Sequence, residues 1–208
     1  MYNGIMSLTD SLIKDGWLET PRIIEAFKTV KRADFMTKDT KSLAELNEAV
    51  PIGMGQTISQ PLVVAFMLEQ LQPEPGDKIL DVGSGSGWTS ALLGEIVGLK
   101  GKVVAIETVP ELREFGEKNA AKYNKWGLVQ FILGDGSKGY EKEAPFDKIL
   151  CSAAVQKEIP MAWKKQLKVG GRIVAPVQSS IWLLIKKSDA EFKEIEYPGF
   201  VFVPLIEK

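Results

Sequence analysis

The apolar positions of this chain fall into two regimes. Up to residue 71 they recur at helical spacing. Leu8, Leu12 and Ile13 share one face, and Ile23, Ile24 and Phe27 share another behind Thr20-Pro21, a cap followed by proline at the first helical position. Two short helices are predicted there. Residues 41–49 read as a further short, polar helix, and Pro61 opens a longer one whose apolar face carries Val64, Met67, Leu68 and Leu71. From residue 78 onward the pattern changes to short apolar runs of strand length, at 79–82, 102–106, 129–133, 148–152, 173–177, 181–187 and 200–205. Helices are expected over 88–97 and 159–167. Only Gln178-Ser179-Ser180 separate two of the runs, too few residues for a crossover helix, so those strands should be antiparallel neighbours. The expectation is an α/β fold: a doubly wound, mostly parallel sheet with an antiparallel C-terminal strand pair and an N-terminal helical extension over the mouth of the site.

The polar residues that end these runs carry the chemistry. Residues 78–87, KILDVGSGSG, form a buried strand that stops at Asp81 and passes into Gly83, Gly85 and Gly87 ahead of a helix. Glycines at such a turn adopt backbone angles closed to other residues and place no Cβ between peptide N–H groups and a ligand. No Gly-Lys-Ser/Thr follows, so this is not a P-loop, and the third glycine of a dinucleotide fingerprint would fall on Trp88. Glu107 ends the next strand at the place of a ribose-binding acid, followed by Thr108. Gly134-Asp135-Gly136 ends the third, where Asp135 stands in position to read an adenine amino group. Each acid alone reads equally as a cap or a solvated loop residue. Asp81, Glu107 and Asp135 at three consecutive strand ends form one rim, where open α/β sheets bind ligands.

Composition narrows the reaction. The chain has 208 residues, a net charge of -1, one cysteine and no histidine. It suits one domain, with residues 1–72 as a helical substrate or lid region and 73–208 as a cofactor-binding core. The charge gives no general attraction to nucleic acid, and no apolar run reaches the roughly 18 residues of a membrane span. The opening MYNGIMSLTD lacks a basic segment followed by an apolar one, and a single cysteine fits a reducing compartment, so a cytoplasmic monomer is expected. Without histidine there is no Ser-His-Asp or Cys-His catalysis, no histidine-ligated metal, and no metal site is expected. The nucleophile must need no deprotonation, or a carboxylate or lysine must serve it.

Three segments keep two readings each. In residues 51–61, PIGMGQTISQP, two glycines bound an exposed turn, and Thr57 and Ser59 offer hydroxyls before a helix N-terminus. Ser59 is either the cap of that helix or part of a carboxylate site. Lys31-Arg32 reads as a solvated helix end rather than a binding patch. The small residues Cys151-Ser152-Ala153-Ala154 either leave room beside a cofactor or pack tightly.

The segment DVGSGSG resembles the first motif of S-adenosylmethionine-dependent methyltransferases of Rossmann-like fold. Thr20-Pro21-Arg22, the Gly-Gln-Thr-Ile-Ser-Gln-Pro stretch at 55–61, Gly134-Asp135-Gly136, Ala144-Pro145-Phe146-Asp147, Gly170-Gly171-Arg172 and Phe202-Val203-Pro204-Leu205 together resemble the protein-L-isoaspartate O-methyltransferase family over nearly the whole chain. That resemblance implies methyl transfer from S-adenosylmethionine to the free carboxylate of isoaspartyl residues in proteins or peptides, the ester then collapsing to a succinimide. It further implies Ser59 as the catalytic residue, Asp81, Gly83, Ser84, Gly85, Glu107, Thr108, Asp135 and Gly136 at the cofactor, and Thr57, Ile58, Ser59 and Val203 at the substrate. Glu45, Asn47, Met54 and Trp182 depart from the family pattern, in stretches expected to border the substrate opening. Another carboxylate acceptor, or a cofactor-binding module without catalysis, are the alternative readings.

Overall fold

The structure is a computed structural model that describes residues 6–207; residues 1–5, part of the segment read for a leader, and Lys208 lie outside it. Helix α1 (Leu8–Lys14) is capped by Ser7, whose Oγ accepts from Asp10 N at 3.1 Å. Helix α2 (Pro21–Thr29) has Thr20 at its N-cap position but without a side-chain cap bond. Thr20 Oγ1 donates instead to Glu69 Oε2 at 2.6 Å, tying the start of α2 to a later helix.

Beyond α2 the structure corrects two expectations at once. Arg32 is not solvated: it is 6% exposed, and its guanidinium donates to the carbonyls of Ala44, Leu46, Glu48 and Ser59 at 2.7–3.2 Å. In a helix the carbonyls of residues 44, 46 and 48 would lie on different sides of the axis and point along it, so they could not converge on one guanidinium. Residues 41–49 therefore wrap around Arg32, with only a short 3₁₀ turn at Lys41–Leu43. A hairpin follows, β1 (Val50–Gly53) and β2 (Gln56–Ile58), closed by Gly53-Met54-Gly55, and then helix α3 (Pro61–Leu71).

The remaining chain alternates: β3 (Lys78–Val82), α4 (Trp88–Val97), β4 (Lys102–Glu107), α5 (Pro110–Ala120), β5 (Val129–Leu133), β6 (Phe146–Cys151), α6 (Met161–Gln166), β7 (Leu167–Val177), β8 (Ser180–Lys186) and β9 (Phe192–Pro198). The strands form one sheet in the order β5-β4-β3-β6-β7-β8-β9, parallel from β5 through β7 and antiparallel at β7–β8 and β8–β9. Helix α5 escapes the apolar pattern because it buries only Leu112, Gly116 and Ala120.

Two strand assignments need correction. Strand β7 begins at Leu167, ahead of the apolar run at 173–177, so Gly170-Gly171 lies inside the strand. The sheet is closed by residues 192–198, not by 200–205. Strand β9, FKEIEYP, lacks an apolar run because it is an edge whose Lys193, Glu194 and Glu196 face outward, a charge pattern that discourages further pairing. Residues 200–205 instead cross the carboxyl ends of the strands, held where Ala154 N donates to Val203 O and Leu205 N to Ala154 O, both at 2.8 Å.

Alternation along the strands covers both faces. Ile79, Val103, Ala105, Leu150 and Val174 pack with the N-terminal helices, α3 and α4, while Leu80, Val104, Ile106, Ile149 and Ile173 pack around Trp163 of α6. Helix α2 rests on α4 and α1 on α2, so the N-terminal helices lie on a sheet face. The parts that roof the strand ends are the β1–β2 hairpin and residues 203–206, contrary to the expectation of a helical cover. No helix among the described residues is long and apolar enough to cross a membrane.

Candidate active site

The strand ends and their roof enclose a cavity that brings together Thr57, Ile58, Ser59, Gly83, Ser84, Gly85, Glu107, Thr108, Gly136 and Val203. Its floor is the turn after β3. Gly87 makes that turn possible: at φ 83° it caps α4, and a Cβ there would stand 2.5 Å from the carbonyl oxygen of Gly116. Helix α4 thereby approaches α5 closely enough to bring the turn under the cavity.

The turn does not present a row of free amides. Gly83 N and Ser84 N both donate to Ile106 O, Gly85 N donates to Glu107 Oε2 at 2.9 Å, and Gly87 N donates to Ser84 O. The sequence expectation of open peptide N–H groups is corrected on this point. What remains for a ligand is the bare backbone at Gly83 and Gly85 and the Ser84 hydroxyl, which is buried without a partner among the described residues. Such a floor suits the neutral nucleoside and amino-acid portion of a cofactor better than a phosphate, which needs the amides themselves.

Glu107 is 6% exposed and is the one charged side chain among the described residues of the wall. Its Oε1 accepts from Thr108 N at 2.8 Å and Val109 N at 3.0 Å, and its Oε2 from Gly85 N. A carboxylate offers about four lone-pair sites, so these three bonds hold the group in place and leave about one further acceptor site, on Oε2, toward the hydroxyls of a diol. Beside it, Ile106 and Val109 offer apolar wall against which a planar base can lie.

The other two acids of the rim do not line the cavity. Asp135 caps the short turn Gly136–Lys138: Oδ1 accepts from Ser137 N and Oγ, and Oδ2 pairs with Lys138 at 3.0 Å. Its neighbour Gly136 is the residue that reaches the wall, packed so tightly that a Cβ would meet Val82 Cγ1 at 2.5 Å.

Asp81 sits behind the floor, fully buried, with Ser90 Oγ donating to Oδ2 at 2.6 Å and Oδ1 unpartnered. Burial raises its pKa to about 7, opposed by the Ser90 bond and reinforced by the Glu107 charge. A raised carboxyl pKa means that the folded protein holds a proton the unfolded chain has lost. This contribution to stability is complete below the ordinary carboxylate value and is lost as pH rises toward 7. Asp81→Asn, which cannot ionise, should therefore gain stability relative to the parent between pH 5 and 8, a window taken from that shift. Parallel urea titrations measure it, and a constant difference across that range would refute the assignment.

Of the small residues after β6, Ser152 and Ala153 line the cavity and Ala154 anchors residues 203–205. Cys151 is buried, its thiol donating to Ala153 O and pushed up by burial to about 12, so it is no nucleophile. The structure adds Gln56, Ser86, Pro204 and Leu205 to the wall. Ser86 lay within the glycine motif, but Pro204 and Leu205 reach the site only through the crossing of the C-terminal segment.

Next to the cavity is a cleft that shares Thr57, Ser59, Ser152 and Val203 with it and extends to Ala49, Val63 and Phe202. Among the described residues no charged side chain lines the cleft. Ser59 stands where cleft and cavity meet, and it is not a cap. The N-cap position of α3 is Gln60, with no side-chain cap bond of its own, and Leu62 N is served by Asn47 Oδ1 at 2.9 Å. Asn47→Ala should cost about 1 kcal/mol and Asn47→Asp should restore most of it, as expected for a capping acceptor. An unchanged urea midpoint in the alanine variant would contradict this.

None of the four positions that depart from the family pattern lines the cavity or the cleft, which corrects their expected place at the opening. Asn47 caps α3, Glu45 accepts from Leu8 N at 3.0 Å, Met54 holds the hairpin tip at φ 53°, and Trp182 pairs with Ala175 and Glu196 inside the sheet.

The profile of the protein-L-isoaspartate(D-aspartate) O-methyltransferase family matches residues 4–208. The chain belongs to this family. Protein-L-isoaspartate O-methyltransferase of Methanopyrus kandleri is 40% identical over 203 residues, covering 96% of this chain and 89% of that protein. Protein-L-isoaspartate O-methyltransferase 2 of Archaeoglobus fulgidus is 44% identical over 187 residues, 88% of this chain and 84% of its own. A solved protein-L-isoaspartate O-methyltransferase superposes with a TM-score of 0.85 at 28% identity, over 95% of this chain and 64% of the other. A Plasmodium falciparum chain solved in complex with S-adenosyl-L-homocysteine shares the fold, with a TM-score of 0.86 at 22% identity over 97% of each chain. The family fold is thus the Rossmann-like methyltransferase fold, extended here by the N-terminal helices and the hairpin.

Proposed function

We propose that the protein is an S-adenosylmethionine-dependent O-methyltransferase that methylates the free carboxylate of isoaspartyl residues in proteins and peptides. The observation that carries this reading is the junction at Ser59 between a cavity held by Glu107 and a cleft without charged side chains, in a chain of this family. The cavity fits the cofactor: an acid with spare acceptor capacity, bare backbone at Gly83 and Gly85, and a buried hydroxyl at Ser84.

When bound, S-adenosylmethionine would supply a sulfonium-activated methyl group to the ionised carboxylate oxygen, the O–CH3 bond forming as the S–CH3 bond breaks and S-adenosylhomocysteine leaves as the neutral thioether. Glu107 would hold the ribose, and Ser84 and the turn would accommodate the methionyl portion. Ser59 Oγ and Thr57 orient the acceptor carboxylate, while Ile58 and Val203 flank it. A carboxylate with a pKa near 4 is already ionised at pH 7, so no general base is needed, in accord with a chain that contains no histidine. A cleft without cations leaves the acceptor oxygen nucleophilic, and the roof formed by residues 203–206 excludes water from it. The work of the site is proximity and orientation. Asp81 and Asp135 act behind the wall, shaping the turns that carry Ser84 and Gly136.

We further read residues 1–208 as one domain, since the N-terminal helices share a hydrophobic cluster with the sheet. The free thiol of Cys151 fits the reducing cytoplasm, and the charged edge β9 favours a monomer. Methyl release measured on matched isoaspartyl and aspartyl peptides tests the function. Turnover on the isoaspartyl peptide alone is expected; equal turnover on both would reassign the acceptor, and none on either, with S-adenosylhomocysteine still bound, would leave a binding module.

A further inference from the structure

Arg32 is a buried cation whose Nη donors all go to neutral groups and whose Nε is buried without a partner among the described residues. Nη1 donates to Ala44 O at 3.2 Å and Leu46 O at 3.0 Å, and Nη2 to Glu48 O at 2.7 Å and Ser59 O at 3.2 Å. No carboxylate hydrogen-bonds to it, although Glu45 lies close enough to favour its charged form. Burying an arginine merely to cap a loop is costly, because its charge is desolvated without an ion-pair partner. The arrangement does, however, place one rigid group between the two halves of the site.

The first half is the acceptor side. The bond to the Ser59 carbonyl fixes the backbone of the residue whose hydroxyl stands between cavity and cleft, and the bonds to residues 44–48 fix the loop leading into Ala49 and the hairpin. The second half is the cofactor side. The guanidinium carbon lies 5.5 Å from the ring centroid of Trp88, the first residue of α4 and part of the cavity wall, and Phe27 of α2 packs on the same indole edge-to-face. A planar guanidinium can donate in its plane and stack through its face at once, which an ammonium cannot.

We propose that Arg32 is a positioning residue for methyl transfer, holding Ser59 in register with the first turn of α4 through its bond to the Ser59 carbonyl and its stack on Trp88. It touches neither cofactor nor acceptor. The inference rests on the reading of Ser59 as the residue that orients the acceptor carboxylate. Transfer is sensitive to small displacements, since a shift of about 1 Å in a reacting group can cost on the order of 100-fold in rate.

The test is a double-mutant cycle on the full chain, with Arg32→Lys, Ser59→Ala and the double variant assayed on an isoaspartyl peptide, and Arg32→Gln, a smaller neutral donor, as a second replacement. Each variant is assayed well below its own melting temperature. Arg32→Lys should lower kcat by roughly 10- to 100-fold while the Kd for S-adenosylhomocysteine changes less than about 3-fold, a split that general loosening of the fold would not produce. The decisive reading is the double variant. If Arg32 acts through Ser59, its loss adds nothing once the hydroxyl is gone, and the double variant turns over like Ser59→Ala alone. Multiplied losses, or a parallel rise in Kd and fall in kcat, would overturn the Arg32 inference and leave the Ser59 reading intact. Full turnover in Ser59→Ala would instead overturn the Ser59 reading, whatever the Arg32 variants do.

Discussion

Glu107→Ala is expected to weaken S-adenosylhomocysteine binding by about 1.5–3 kcal/mol, the increment of a charge-assisted hydrogen bond, and to destabilise the fold by roughly 2–4 kcal/mol more through unpaired amides. Two separate losses are involved. The first is the acceptor for the ribose hydroxyls, read by calorimetry. The second is internal: Gly85, Thr108 and Val109 donate their amides to this carboxylate, and the residue is 6% exposed. Water entering the cavity resolvates part of these groups, which keeps the stability loss below the sum of three buried donors. Glu107→Gln is no gentle substitute. Its amide has one acceptor oxygen, so its NH₂ group must face either the Gly85 amide or the Thr108–Val109 pair, donor against donor. The glutamine variant should therefore melt below the parent and bind more weakly. An alanine variant with the affinity of the parent would remove Glu107 from the cofactor site and, with it, the orientation assigned to the cofactor.

Ser59→Ala should leave the melting temperature nearly unchanged and lower turnover on an isoaspartyl peptide by on the order of 10- to 1,000-fold, the range for losing one preorganised donor and the misplacement that follows. The stability half of this expectation comes from the structure. A serine cap would cost about 1 kcal/mol on truncation, but the amide that a cap would serve at Leu62 is taken by Asn47. The Ser59 carbonyl bond to Arg32 survives the substitution because it involves backbone. Ser59→Asn separates the readings further: it retains a side-chain oxygen but is longer than serine at the junction of cavity and cleft, so it should not restore turnover. A stable alanine variant with full turnover would show that the hydroxyl does nothing for the reaction.

The parts of this protein that could be read from the chain are those whose cause is local. Strands β3, β4 and β6 are legible because a strand inside a parallel sheet covered on both faces must be a largely continuous apolar run, and Ile79-Leu80 and Val103-Val104 feed opposite faces of the same sheet. The antiparallel turn at Gln178-Ser179 follows from chain length alone. Glu107 and the glycine turn are legible because the carboxyl end of a parallel strand is where backbone and side chain both face the ligand. Motif order added the family, including the Thr-Ile-Ser stretch that lines the junction.

What only the tertiary structure decided are the roles that depend on partners distant in sequence. Strand β9 has no apolar signature because an edge strand is wet on one side, whereas residues 200–205 look like a strand because Phe202, Val203 and Leu205 pack, partly buried, along the site. Arg32 reads as a solvated helix end until four carbonyls between residues 44 and 59 are seen to converge on it, and the same convergence dissolves the helix expected over 41–49. Asn47 caps a helix that begins at Pro61, a bond that no window of local sequence contains. Asp81 and Asp135 share a rim with Glu107 in one dimension, but strand pleat and turn geometry point only Glu107 into the cavity. Side-chain direction at a strand end is set by packing against neighbouring elements, and the spacing of acids along the chain does not encode it.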